Sequence, residues 1–127
     1  DLYIFKEDRD STEDYAIVEN KFIDNFLLQY KQLLGYLNHY FKFGITISIN
    51  NKYPLADAMK KIVNSLENID DQDFPITSIN TIDSFPYVVK STHIIPEDKT
   101  RQMPIYHMVF QLYDVERKRI AREARGK

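Results

Sequence analysis

Apolar positions along the first third of the chain follow the spacing of a helix. They recur at steps of three and four from Tyr15 to Tyr40, which describes one stripe of a long helix. Ser11, followed three residues later by Asp14, has the pattern of a helix N-terminus. Additional apolar residues widen the stripe, so we expect this long helix to be buried on more than one side.

Alternation of apolar and polar residues begins at Phe43 and continues to Asn50, which predicts a half-buried strand. Pro54 fits the first turn of a second helix. The apolar residues of this helix share one face, and an acidic loop at residues 70–73 follows it. That face consists of Leu55, Met59, Ile62, Val63 and Leu66.

The C-terminal half is rich in strand-forming residues, and a short charged helix follows it. Strands are predicted over residues 76–82, 87–95 and 104–113, with a polar hairpin loop over 96–103. Asp114 is placed to cap a helix that has few apolar residues and is therefore expected to be exposed. We expect one α+β domain in which a long N-terminal helix packs on a curved antiparallel sheet.

Composition and charge are those of one soluble domain with oppositely charged ends. The 127 residues are 43% hydrophobic and 28% charged, with a net charge of -2. Acidic residues dominate residues 1–13, which we interpret as a linker or arm, and the domain spans residues 14–113. Basic residues dominate the helix or tail at 114–127. This end lacks interleaved aromatic residues, so nucleic acid is not an expected partner.

The cost of burying a lysine sets the expected register of the last hairpin. Placing Lys90 against Phe110 inside the core would bury an unpaired charge. We therefore predict that the odd-numbered residues of 87–95 share the buried face with the even-numbered residues of 106–112. In that register His93 lies in the core.

Two candidate sites follow from this register. His93 and Tyr106 share the buried face and are candidate pocket-lining residues. The outer face is half apolar, and a group of apolar residues on one exposed hairpin face favours a contact surface. The candidate partner-binding residues on it are Val88, Lys90, Ile94, Ile105, His107 and Val109.

The residues contain no motif for catalysis or for a cofactor. Cysteine is absent, which excludes disulfides, thiol catalysis and thiolate metal sites. The three histidines, His39, His93 and His107, do not converge in the predicted arrangement, so neither a metal site nor a cofactor is expected. An alternative is acid–base catalysis by His93 with a tyrosine in a pocket. The candidate tyrosines are Tyr30, Tyr87 and Tyr106.

Six segments carry a resemblance to a known superfamily. They are residues 22–40, GITISINN, YPLADAMKKIVNSL, DFPITSINTID, YVVKSTHII and PIYHMVFQLYD. Their order of helix, strand, helix and three strands resembles the nuclear transport factors and ketosteroid isomerases, in which a curved sheet wraps a helical layer to form a cone. The acid and tyrosine that the isomerases use have no matching pair here, so the resemblance implies no catalytic site.

The chain resembles one branch of this superfamily in further respects. This branch comprises the VirB-type single-pass scaffold proteins of conjugative type IV secretion systems. An acidic N-terminal arm, and a start at Asp1 rather than Met, suit an exported domain whose membrane segment lies outside this sequence. The absence of cysteine suits a Gram-positive cell surface. The resemblance implies a non-catalytic assembly subunit for plasmid DNA transfer. It would lie on the extracytoplasmic face of the cell membrane and dock on other channel subunits or on copies of itself.

Two other functions stay open within the same superfamily. One is a small enzyme of the ketosteroid-isomerase type with a pocket in the cone, and the other is a nuclear-transport-type adaptor domain. A ferredoxin-like core over residues 43–113 is an alternative fold, in which the basic end would bind nucleic acid.

Overall fold

The structure of this protein is a computed structural model that contains both strands and helices. It describes residues 2–8, 11–37, 41–69, 74–96, 98–112 and 115–126. A 3-10 turn (Ile23–Asn25) joins the second strand to the first helix. The elements in chain order are β1 (Leu2–Asp8), β2 (Ser11–Phe22), α1 (Phe26–Tyr36), β3 (Phe43–Asn50), α2 (Leu55–Glu67), β4 (Ile76–Ile82), β5 (Phe85–Ile95), β6 (Asp98–Gln111) and α3 (Val115–Arg125).

Six strands form one mixed sheet in the order β1-β2-β3-β6-β5-β4. Strands β2, β3 and β6 run parallel to one another, and the remaining neighbours are antiparallel. Helix α1 is the crossover between β2 and β3, and α1 and α2 contribute to one core on the same face of the sheet. The α+β class is confirmed, whereas the expectation of an antiparallel sheet is wrong for its centre. The cone of the resembled superfamily stays a prediction.

The predicted long N-terminal helix is not shown. Residues 11–22 form β2, and the helical segment comprises the 3-10 turn and the 11 residues of α1. Ala16, Ile17 and Val18 are all buried, so β2 is covered on both of its faces there. Such a strand shows no alternation, and its apolar positions resemble those of a buried helix. The residues interpreted as an acidic linker contribute β1 and the start of β2.

Several other elements agree with the sequence pattern. The strand over Phe43–Asn50, the helix after Pro54 and the exposed C-terminal helix are all present. The loop predicted over residues 96–103 is shorter in the structure, because β6 begins at Asp98. The acidic loop at residues 70–73 lies outside the described residues.

The core lies between the sheet and helices α1 and α2. Tyr30 and Leu33 of α1 and Ile62 of α2 are completely buried there. Gly44 of β3 allows α1 to approach the sheet, because a Cβ atom at this position would lie 3.1 Å from Cδ2 of Leu33. Any larger side chain at residue 44 would therefore require α1 or its leucines to move.

The opposite face of the sheet, here called the open face, is apolar, and no described helix packs closely on it. Ile45 of β3 projects to this face together with Tyr106 and Met108 of β6. These three line a groove of about 320 Å³ with side chains of the β4–β5 hairpin. Phe110, also on this face, is 58% exposed.

The predicted register of the last hairpin is wrong by one residue. Val88 pairs with Met108 and Lys90 pairs with Tyr106, so residues of equal parity share a face. The prediction assumed that the aromatic face of β6 lies in the core, whereas Tyr106 and Met108 lie on the open face. Lys90 is half-buried beside them, so the structure does not place this lysine in the core.

Ile62→Ala tests the position of the core. It should lower the free energy of unfolding by about 2 to 5 kcal/mol, because it removes buried methyl groups and leaves a cavity. The matched control is Ile120→Ala in α3, where the side chain is 52% exposed. The control should change stability by less than about 0.5 kcal/mol. Urea denaturation followed by circular dichroism measures both, and equal losses would contradict this placement of the core.

Candidate functional site

A row of polar side chains is buried beneath α1 and crosses four neighbouring strands. In the register of the sheet, Glu19 of β2 lies beside Thr46 of β3, and Thr46 lies beside His107 of β6. Ser91 and His93 of β5 continue the row. Glu19 is 2% exposed and the other four are completely buried. These five residues are called the buried polar row below.

Hydrogen bonds connect four members of the row to one another and to α1. Nδ1 of His107 lies 2.8 Å from the Thr46 hydroxyl oxygen, and its Nε2 lies 2.7 Å from that of Ser91. The same Ser91 oxygen lies 2.7 Å from Nε2 of His93, whose Nδ1 lies 3.3 Å from the hydroxyl of Tyr30. The Ser91 hydroxyl has one proton, so it donates to one imidazole and accepts from the other. Two neutral imidazoles satisfy this chain.

Burial keeps His107 neutral. The loss of water around the ring, followed by the influence of the nearby His93, lowers the pKa of His107 from its ordinary value of 6.5 to about 3. The rings of Phe26 and Tyr30 pack against it at centroid distances of 5.4 Å and 5.9 Å. The row therefore ties α1 to the sheet through hydrogen bonds between uncharged groups.

Glu19 differs from the rest of the row. Its Oε1 atom is buried without a hydrogen-bond partner, and no other buried side-chain nitrogen or oxygen among the described residues lacks one. A buried carboxylate that is neither paired nor hydrogen-bonded destabilises a fold. Unsatisfied groups of this kind call for a specific explanation, such as a bound ion, a water molecule or a catalytic role.

Gln29 of α1 fixes the backbone that carries Glu19. Its side chain is completely buried, and Nε2 donates hydrogen bonds to the carbonyl oxygens of Glu19 and Ile47 at 2.7 Å and 2.8 Å. Its Oε1 accepts a hydrogen bond from the Ser48 hydroxyl at 3.2 Å. One buried amide thus holds α1, β2 and β3 together at the position of Glu19.

Lys21 shares the face of Glu19. Side chains alternate along a strand, so residues 19 and 21 project to the same side, with their Cα atoms about 7 Å apart. Lys21 is half-buried and lies beside Ser48 in the sheet register. A buried glutamate and a half-buried lysine therefore share one face of the strand near the carboxyl end of β2.

Further lysines lie just beyond the carboxyl ends of β2 and β3. Asp24, in the 3-10 turn, forms an ion pair with Lys52 and lies 3.9 Å from Nζ of Lys61. The hydroxyl of Tyr53 donates a hydrogen bond to Asp24 at 2.8 Å. The hydrogen bond from Lys52, and then that from Tyr53, lower the pKa of the Asp24 carboxyl. This edge of the sheet carries two lysines for one carboxylate.

The predicted partner-binding residues do not form one surface. Three of them, on β6, are buried beneath the helices, and the other three, on β5, project to the open face. The buried ones are Ile105, His107 and Val109, and those on the open face are Val88, Lys90 and Ile94. The one-residue difference in register explains this separation.

The predicted pocket pair is separated for the same reason. His93 belongs to the buried polar row, whereas Tyr106 lies on the open face with its ring edge-on to Phe43 at a centroid distance of 5.8 Å. The tyrosine that contacts His93 is Tyr30 of α1, which was one of the candidate partners. His39 lies outside the described residues.

Sequence reasoning missed Glu19, Lys21 and Gln29. All three fall in the segment that helical spacing assigns to one long helix, where such residues are ordinary surface positions. The sequence pattern that could have indicated these residues is a Glu-x-Lys pair directly after three consecutive apolar residues. In a strand, this spacing places both charged side chains on one face.

Comparisons of the chain with protein-family models, with curated proteins and with solved structures found no match. Within the described ranges, no three side chains of His, Cys, Asp or Glu lie close enough together to hold a metal ion. None of the described helices has the length and apolar character needed to cross a membrane. The function is therefore inferred from local geometry.

Acid should destabilise the protein through His107. Above pH 6.5 the ring is neutral in both the folded and the unfolded state. Below that pH the unfolded chain binds a proton that the folded protein does not bind until about pH 3. The free energy of unfolding should therefore fall by about 1.4 kcal/mol per pH unit in this window. Urea denaturation at several pH values measures the slope, which should be smaller in His107→Gln. An unchanged slope in the variant would contradict this assignment.

Proposed function

We propose that this domain hydrolyses phosphodiester bonds with a divalent cation bound at Glu19. The observation that carries the proposal is the buried, unpaired carboxylate oxygen of Glu19, two residues from Lys21 on the same face of β2. A bound cation would give the buried Oε1 atom the partner that it lacks. Mg²⁺ is usually held by only one or two protein carboxylates, with water and substrate phosphate oxygens completing its coordination.

The position in the sheet supports a substrate site. Glu19 and Lys21 lie within the last four residues of β2 (Ser11–Phe22), next to the parallel strand β3. In open sheets with parallel strands, ligands bind outside the carboxyl ends of the strands. Beyond the same edge, Lys52 and Lys61 share the single carboxylate of Asp24. The remaining excess of positive charge favours an anionic substrate.

The two side chains suit the chemistry of phosphodiester hydrolysis. A divalent cation lowers the pKa of a bound water molecule and compensates charge on the phosphate. Glu19 would hold the cation, and Lys21 would donate hydrogen bonds to a phosphate oxygen as its negative charge grows. The water oxygen forms a bond to phosphorus, the bond from phosphorus to the ester oxygen breaks, and a water proton is transferred to the released alkoxide.

Glu19→Gln and Lys21→Met test this activity. With bis(p-nitrophenyl) phosphate and Mg²⁺ or Mn²⁺, each variant should lose at least about 100-fold in kcat/KM, because each removes charge stabilisation in the transition state. The matched controls are Glu67→Gln and Lys31→Met at exposed helix positions, which should keep wild-type activity. A wild-type protein without metal-dependent hydrolysis, or fully active variants, would overturn the proposal.

The thermal stability of the same variant separates a functional from a structural role of Glu19. Without metal, Glu19→Gln should be at least as stable as the wild type, because it keeps the shape of a side chain whose Oε1 atom makes no hydrogen bond that the substitution could remove. Mg²⁺ should raise the melting temperature of the wild type and leave that of Glu19→Gln unchanged. A destabilised variant, together with no effect of Mg²⁺ on the wild type, would assign Glu19 a structural role.

A second candidate function is protein docking through the open face, which the apolar groove lined by Ile45, Tyr106 and Met108 favours. Parallel strands are normally covered on both faces of the sheet. We propose a second copy of this chain as the occupant, because two twisted apolar sheet faces can pack on each other as in a sandwich. Secretion-channel subunits as partners, the scaffold role and the membrane location stay predictions.

Met108→Lys tests docking through the open face. The wild type should be a dimer by size-exclusion chromatography with light scattering, and the variant a monomer, because burying a lysine opposes association. The control is Thr81→Lys on the exposed edge strand β4, which should remain dimeric. A monomeric wild type at every concentration would exclude this mode of self-association.

A further inference from the structure

Helix α3 (Val115–Arg125) consists mostly of charged residues and lies outside the core. Residues 117–126 are all exposed, and Ile120 is the one large apolar side chain among them. Because these residues are exposed, α3 buries little apolar surface against the rest of the structure. Its basic residues outnumber its acidic residues by five to two, which makes it a compact positive surface. The basic residues are Arg117, Lys118, Arg119, Arg122 and Arg125.

A hydrogen bond places the start of α3 at the carboxyl edge of the sheet, near the site. Nζ of Lys118 donates to the carbonyl oxygen of Asn51, directly after β3, at 3.3 Å. In the sheet register Lys21 lies beside Ser48, three residues before Asn51. At a rise of about 3.3 Å per residue, the anchoring point of α3 is roughly 10 Å along the strand from Lys21.

We propose that α3 binds the phosphate backbone of a nucleic acid duplex and so holds this substrate beside Glu19 and Lys21. The inference rests on the proposed phosphodiesterase activity and names its substrate class. From Arg117 to Arg125 the basic residues span about 12 Å of helix, at a rise of about 1.5 Å per residue. A duplex carries one charge per about 1.7 Å of its axis, so several of these side chains can each meet a phosphate.

A membrane surface is the other polyanion that a basic helix can bind. Helices that lie in the membrane interface have a face of large apolar side chains. Ile120 has only alanines as apolar neighbours among the described side chains of α3. Contact with the phosphates of a duplex requires exposed cationic side chains and no apolar face. The basic side chains of α3 are exposed. The composition of α3 therefore favours a nucleic acid duplex. This differs from the expectation drawn from the sequence, because contacts with duplex phosphates require no aromatic residues, whereas stacking on single strands does.

The double variant Arg122→Gln with Arg125→Gln tests this contact. Neither residue forms the anchor to Asn51 or the ion pair between Arg119 and Glu123. Fluorescence anisotropy with a labelled 20-base-pair duplex in EDTA, between 50 and 200 mM NaCl, measures binding. Each lost phosphate contact should reduce the slope of log affinity against log salt by about 0.9, or about 1.8 for both. The control replaces the exposed Lys31 and Lys60 with Gln and should keep the wild-type slope.

Two readouts separate this inference from the proposed activity. The double variant should hydrolyse bis(p-nitrophenyl) phosphate at the wild-type rate, because that small substrate does not reach α3. If the proposed activity is wrong, the wild type will not hydrolyse this small substrate. The anisotropy experiment tests α3 separately, because it measures binding without any turnover. No binding of the duplex by the wild type, or an unchanged salt slope in the double variant, would overturn the role of α3. Binding to phosphatidylserine vesicles without binding to the duplex would also overturn it.

Discussion

The fold depends on satisfying the polar side chains that it buries between α1 and the sheet. A polar group buried without a hydrogen bond costs free energy that apolar contacts nearby must offset. Ser91 serves both buried imidazoles, and Thr46 and Tyr30 complete the chain at its two ends. These hydrogen bonds are directional, so together with those of Gln29 they specify the position of α1 over the strands. Apolar contacts alone would specify this position less well.

Glu19 lies at the end of this satisfied row and is itself left without a partner at Oε1. The same α1 crossover that makes β2 and β3 parallel also brings Gln29 onto the Glu19 carbonyl. The backbone is therefore held by a buried hydrogen bond at the residue whose Oε1 atom has no partner. Real proteins break local rules of this kind mainly at functional sites, and for this reason the proposed site is placed at Glu19 and Lys21.

Sequence patterns predicted the elements that have one buried face, because their periodicity is local. Strand β3 and helix α2 are of this kind. Strand β2 (Ser11–Phe22) was missed, since its apolar residues 16–18 are buried on both faces and its pairing with β1 and β3 is a long-range property. The faces of the last hairpin were exchanged because Tyr106 lies on an uncovered apolar face while His107 lies in the core. The candidate site was not predicted because β2 was not predicted, since Glu19 and Lys21 share one face only in a strand.

Anomalous diffraction from crystals grown with Mn²⁺ tests the metal site at Glu19 most directly. We predict an anomalous peak about 2.0 to 2.3 Å from a carboxylate oxygen of Glu19, the distance range of small divalent cations bound to oxygen. The peak should be absent in crystals of Glu19→Gln. A wild-type crystal at saturating Mn²⁺ with no peak at Glu19, and with an ordered water molecule hydrogen-bonded to Oε1, would contradict the proposed site.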